Sequence, residues 1–116
     1  MALRFDEICI DAHDATALGA WWSQVLSWPQ DVDSDGDVVL HPPPGAGPNW
    51  LFIAVPDDKV VKNRIHFDFR PDDQQAEVDR VVALGARHVD VGQGDESWVV
   101  LADPEENEFC ILAAND

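Results

Sequence analysis

His66 and Asp68 stand two positions apart in Arg64-Ile65-His66-Phe67-Asp68-Phe69-Arg70, where polar and apolar residues alternate without a break. A period of two marks a strand that lays one face on a core. Ile65, Phe67 and Phe69 are therefore expected to pack inward. His66 and Asp68 share the opposite face, where an imidazole and a carboxylate can hydrogen-bond to each other. Cys110 lies between Phe109 and Ile111, so a strand there turns its thiol away from both. Taken alone, a free cysteine in such a run reads as a small buried hydrophobe. Cys9, in Ile8-Cys9-Ile10, has a similar setting.

Other chemistries find no footing. Asp33-Ser34-Asp35-Gly36-Asp37 has the alternate carboxylates and the glycine of a calcium loop. The position that would need a bidentate glutamate is Pro44, however, and Val38–Leu40 reads as a strand rather than a flanking helix. A hairpin turn is expected. No nucleophile elbow, phosphate-cradling glycine loop or HExxH pattern occurs, so hydrolase, kinase and zinc-protease readings lack support.

The chain has 116 residues, 46% of them hydrophobic, enough for one domain with a sizeable core. Its 23 acidic and 7 basic side chains give a formal charge of −16. That argues against nucleic acid and against an anionic membrane surface, and it favours solubility and cationic small molecules. Two cysteines make no disulfide framework. No apolar run approaches the roughly 18 residues of a membrane span, and no signal peptide precedes the first strand. A reduced, cytoplasmic protein is expected.

The elements that must position these residues follow from periodicity and punctuation. Leu3–Ala12 reads as a strand. Asp14 caps a helix whose stripe is Leu18, Trp21, Trp22, Val25 and Leu26, closed by Pro29, with the tryptophans as core anchors. Trp50–Val55 is a strand after the Pro/Gly-rich loop Pro42–Pro48. Past the central strand, Asp72 or Asp73 caps a second helix marked by Val78, Val81 and Val82, which ends at Leu84-Gly85. Strands are expected over Arg87–Val91, Trp98–Ala102 and Asn107–Leu112, with turns at Gly92–Glu96 and Asp103–Glu106. Strand, helix, strand, strand, strand thus occurs twice, and the halves repeat. Ile8-Cys9-Ile10 aligns with Phe67-Asp68-Phe69 at an offset of 59, and Phe52-Ile53 with Phe109-Cys110 at an offset of 57.

The doubled order, with Lys62–Asp68, Leu84-Gly85-Ala86, Leu101–Phe109 and Trp21–Leu26, resembles the glyoxalase/bleomycin-resistance/extradiol-dioxygenase (vicinal oxygen chelate) superfamily, in its glyoxalase-like branch. The resemblance implies an α+β fold in one domain, 1–116. Two repeated β-α-β-β-β modules, about 1–58 and 62–114, would form a cupped mixed sheet around a ligand, with the helices outside. The superfamily's four metal-ligand positions fall here on Glu7, Ile53, His66 and Cys110. Ile53 has no donor atom, and Cys110 stands where a glutamate is usual, so the four-ligand set of glyoxalase I is incomplete. Glu7, His66 and Cys110 would still offer oxygen, nitrogen and sulfur, a set better matched to zinc than to ferrous iron.

Two functions are implied. One is a lyase or isomerase acting on a carbonyl compound, with His66 and Glu7 catalytic and Asp68, Cys110, Ile53, Cys9 and Trp98 against the substrate. The other is a metal-free protein similar to the bleomycin-resistance proteins, which sequester a cationic drug between subunits. A homodimer is expected in either case, with the rigid apolar segment Pro42–Trp50 as contact surface.

Overall fold

The computed structural model describes residues 2–92, 94 and 96–114. The chain divides into two compact units, Met1–Asp58 and Lys59–Asp116, called here modules one and two. Each holds one helix and a four-stranded mixed sheet.

Module one runs β1 (Glu7–Ala12), α1 (Ala15–Leu26), β2 (Gln30–Val32), β3 (Val38–Leu40) and β4 (Asn49–Ala54). The strand order is β1-β4-β3-β2, with β1 parallel to β4 and the remaining pairs antiparallel. Asp14 caps α1 by accepting the Ala17 N–H at 3.1 Å. The helix ends before Pro29, because Ser27 takes a left-handed conformation and its hydroxyl neighbour Ser23 donates to the Trp28 carbonyl at 2.6 Å. Leu18, Trp22 and Val25 bury against Val38, Leu40 and Phe52, while Trp21 and Leu26 are half-buried. Gly19 lets α1 approach β3 closely, since a Cβ there would lie 2.6 Å from Val38. Trp50 sits between Trp22 and Trp28, 5.5 Å from each ring centre. It is only 5% exposed, so it belongs to the core and offers no surface to a second subunit.

The acidic loop is a hairpin turn. Asp33 accepts the N–H groups of Asp35 and Asp37 at 2.9 and 3.0 Å, and Asp37 accepts that of Ala54 at 3.0 Å. Its carboxylates hold backbone where a calcium loop would need them on an ion.

Module two runs β5 (Phe67–Phe69), α2 (Gln74–Ala83), β6 (Arg87–His88), β7 (Val99–Ala102) and β8 (Glu108–Ile111), in the order β5-β8-β7-β6. Asp73 is the residue that caps α2, accepting the Ala76 N–H at 3.0 Å. Gly85 closes it: Gly85 N–H bonds to Val82 and Ala86 N–H to Val81, the paired bonds of a Schellman end. Asp103, 2% exposed, accepts the N–H groups of Glu105 and Asn107 and so fixes the tight β7–β8 turn. Val78, Val81, Leu101 and Phe109 form the core.

Several strands are shorter than the alternation predicts. β1 begins at Glu7, and Leu3 and Phe5 are exposed. β6 stops at His88, and β7 starts after Trp98. The turn expected over Gly92–Glu96 includes Gln93 and Asp95, which lie outside the described residues. The largest correction is in the central strand. Ile65 is 79% exposed rather than in the core, and Phe67 and Phe69 are half-buried. Ile65 lies before the strand, as its counterpart Asp6 lies before β1, and just upstream the Glu108 carboxylate accepts the Asn63 N–H at 2.8 Å. That backbone donor is satisfied by a side chain instead of a sheet ladder, the chain bends at Arg64 and Ile65, and pairing starts at Phe67.

Candidate functional site

Strand alternation in module two gathers one set of side chains. Lys62, His66, Asp68, Val91, Trp98, Val100, Glu108, Cys110 and Leu112 line a cavity of about 310 Å³. Residues 66 and 68 lie just before and within β5, 98 and 100 just before and within β7, and 108, 110 and 112 within and just after β8, always in steps of two. The intervening Leu101 and Phe109 lie in the core.

Parallel pairing sets Asp68 beside Cys110. The Asp68 carboxylate lies 3.5 Å from His66 Nε2, and ligating atoms of His66, Asp68 and Cys110 all fall within 4.8 Å of one another. Burial pushes the Cys110 thiol up to about 11, and the Coulomb field and hydrogen bond of Asp68 add to the rise, against a weaker pull from Lys62. At neutral pH Cys110 is a thiol that donates to a carboxylate.

Glu108 occupies the same wall in a different state. Burial alone would raise its carboxyl, but the Asn63 N–H and the Lys59 ammonium, at 2.8 and 2.9 Å, outweigh burial and hold it below the usual carboxylate range. Lys62 and Glu108 were not among the residues expected at the site. Glu108 was legible all the same, since it stands two positions before Cys110 and shares its face.

Of the expected site residues, His66, Asp68, Cys110 and Trp98 line this cavity. Glu7, Cys9 and Ile53 belong to module one. There the Cys9 thiol donates to Glu7 at 3.3 Å, and that bond is the main reason the exposed Cys9 thiol is raised. The ladder register also corrects the alignment of the halves. Parallel partners are 42 residues apart in both sheets, as Glu7 with Asn49 and Phe67 with Phe109. One offset must then relate both strands of a pair, so 59 and 57 cannot hold together. With the helix caps Asp14 and Asp73 fixing 59, the counterpart of Cys110 is Leu51 rather than Ile53. Leu51, like Ile53, has no donor for a metal.

The cluster His66, Asp68 and Cys110 offers nitrogen, oxygen and sulfur close enough together for one ion. A thiolate donor suits zinc better than manganese or ferrous iron. Binding would require Cys110 to lose the proton it now shares with Asp68. The donor set fits a zinc-like ion, taken up with release of that proton.

No helix is long and apolar enough to cross a membrane among the described residues. None of the curated proteins matches the chain. Solved structures do. A glyoxalase/bleomycin resistance protein/dioxygenase family enzyme from Burkholderia phytofirmans PsJN is 19% identical, with TM-score 0.70 over 91% of this chain and 94% of that one. The fosfomycin resistance protein FosX from Listeria monocytogenes, solved with Mn(II) and sulfate, is 16% identical, with TM-score 0.71 over 99% and 93%. At such identities the likeness speaks for the fold, the α+β fold of the vicinal oxygen chelate superfamily. The family model described as glyoxalase-like domain matches residues 7–112, nearly the whole chain, and this protein belongs to that family.

Proposed function

We propose that the protein binds a small carbonyl compound in the module-two cavity and acts on it as a lyase or isomerase. The observation that carries this reading is the meeting of His66, Asp68 and Cys110 in a cavity otherwise walled by Trp98, Val91, Val100 and Leu112. His66 would take a proton from the carbon beside the carbonyl. Asp68, 3.5 Å from its Nε2, would stabilise the imidazolium that forms. The Cys110 thiol, protonated at neutral pH, can turn its one proton from Asp68 to an oxygen that gains charge. A divalent ion held by His66, Asp68 and Cys110 would replace these roles, and it would itself polarise such an oxygen.

The test is proton exchange. Hydroxyacetone incubated with the protein in deuterated water should gain deuterium beside its carbonyl, and His66→Ala should lose this activity. If hydroxyacetone binds at the cavity without exchanging, chemistry is excluded for this compound and the metal-free binding reading gains. That second reading is favoured by the acidity of the chain, −16 overall, which suits a cationic ligand. A homodimer forms part of both readings. Light scattering at tens of micromolar should return twice the 12.8 kDa chain mass, and a monomer mass would remove the dimer.

A further inference from the structure

The charged groups of the cavity are not equally engaged, and the difference points to a class of ligand. Glu108 already has its partners: its side chain is 11% exposed and holds the Lys59 ammonium at 2.9 Å and the Asn63 N–H at 2.8 Å. Nothing further is needed there. Lys62 differs. Its ammonium stands 3.5 Å from the Asn63 carbonyl, beyond the usual range of a firm hydrogen bond. The residue is exposed and lines the cavity, and its charge is felt at Cys110.

Asp68 is the complementary group. Its carboxylate holds the Cys110 thiol and lies 3.5 Å from His66, yet 47% of its side chain remains open to solvent. A carboxylate can accept several hydrogen bonds at once, so capacity remains for a donor from a ligand. Trp98, Val91, Val100 and Leu112 supply an aromatic and aliphatic wall. The volume of about 310 Å³ lies at the small end for ligand sites.

We propose that the cavity takes an organic acid with an apolar side chain, its carboxylate on Lys62 and a hydrogen-bond donor on the neighbouring carbon pointing at Asp68. The inference rests on the small-molecule reading above and departs from the cationic ligand of the second reading: at the cavity Lys62, with Glu108 already neutralised by Lys59, sets the ligand's charge in place of the overall −16. The donor is a hydroxyl or an ammonium, so hydroxy acids and amino acids share the required chemistry. In either case the hydrocarbon lies on Trp98, and the carbon that bears the donor faces His66.

Five probes separate the parts: 3-phenyllactate, phenylalanine, 3-phenylpropanoate without the donor, 3-phenylpropane-1,2-diol without the carboxylate, and lactate without the ring. Calorimetry gives affinity, and the Trp98 indole N–H resonance reports the location. Phenyllactate or phenylalanine should bind, and removing the carboxylate, the donor or the ring should each weaken binding about tenfold or more. Lys62→Ala should abolish the preference for acid over diol while leaving the diol unchanged, and Lys62→Arg should keep it. Lys62 is exposed, so both variants should fold, and unchanged thermal melting checks this. Asp68→Asn should weaken phenylalanine more than phenyllactate if ammonium is the natural donor, and both alike if hydroxyl is. Equal binding of acid and diol, or an acid preference that survives Lys62→Ala, overturns the inference and leaves the cavity as a small-molecule site. Failure of all five to shift Trp98, when hydroxyacetone does shift it, also overturns the inference alone. Silence from hydroxyacetone as well removes both.

Discussion

In module one the parallel ladder of β1 and β4 runs through six residue pairs, while in module two that of β5 and β8 runs through three. The two ladders have the same register and the same connections, and they use their open faces differently. Module one invests in packing: Trp22 of α1 meets Trp50 edge-on, with Phe52 beside Trp50, and its acidic loop binds its own backbone. Module two has three ladder pairs fewer, one lost at the Glu108 end, where Glu108 captures Asn63, and two at the far end by Pro71, and the side chains before and within the short strand face a cavity. One repeat carries a continuous aromatic core, and the other carries the polar cluster. Duplication of a fold does not oblige both copies to do the same work.

The contrast breaks most visibly under core truncation. Trp50→Ala removes the ring that joins Trp22 to Trp28 and should cost about 3–5 kcal/mol in urea unfolding. A loss below about 1 kcal/mol would mean that the aromatic cluster is not what holds module one.

Next comes the anchor just upstream of β5. Glu108→Ala leaves the Asn63 N–H and a Lys59 side chain that is 16% exposed without their partner, and should cost about 2–3 kcal/mol. The folded state holds the Glu108 carboxyl below its ordinary range, so its stabilisation is present above that range and lost as pH falls through the folded value. The acid limb of a stability–pH curve should therefore flatten in Glu108→Ala. Identical limbs in the two proteins would show that the ion pair is not formed.

The thiol gives the opposite sign. Cys110 is raised from 9.0 to about 11 on folding, so the unfolded chain loses its proton first as pH rises. Stability present below pH 9.0 should fall by on the order of 2 kcal/mol as pH approaches about 11, and Cys110→Ala should remove that fall. Alkylation sharpens the point, since the exposed Cys9 should react well before the buried Cys110. Equal rates would place Cys110 in solvent.

The smallest effect distinguishes the structure from the alternation. Ile65→Ser should change stability by less than about 0.5 kcal/mol, because Ile65 is 79% exposed. A loss of several kcal/mol would return Ile65 to the core.

Much of the fold was legible because it rests on local signals. Asp14 and Asp73 are caps followed by apolar stripes, Gly85 closes a helix, and the acidic loop fails the calcium pattern at Pro44. At the site, alternation brought out His66, Asp68 and Cys110. What stayed hidden depended on contacts distant in sequence. Nothing near Ile65 reveals that Glu108, more than forty residues on, takes the Asn63 N–H upstream of β5. The relation of Ile53 to Cys110 was read by aligning short strings, and the ladder register exposes its conflict with the offset that relates Glu7 to His66.

The central claim, that the polar cluster of module two is a small-molecule site, is tested most directly by mapping where small molecules bind. Spectra of isotope-labelled protein should be recorded against a library of small carbonyl compounds and organic acids. The account predicts saturable shifts at the His66 imidazole, the Trp98 indole and the Cys110 amide, all reduced in His66→Ala. Saturable shifts confined to β1–β4 and α1, with these three signals unmoved, would contradict it.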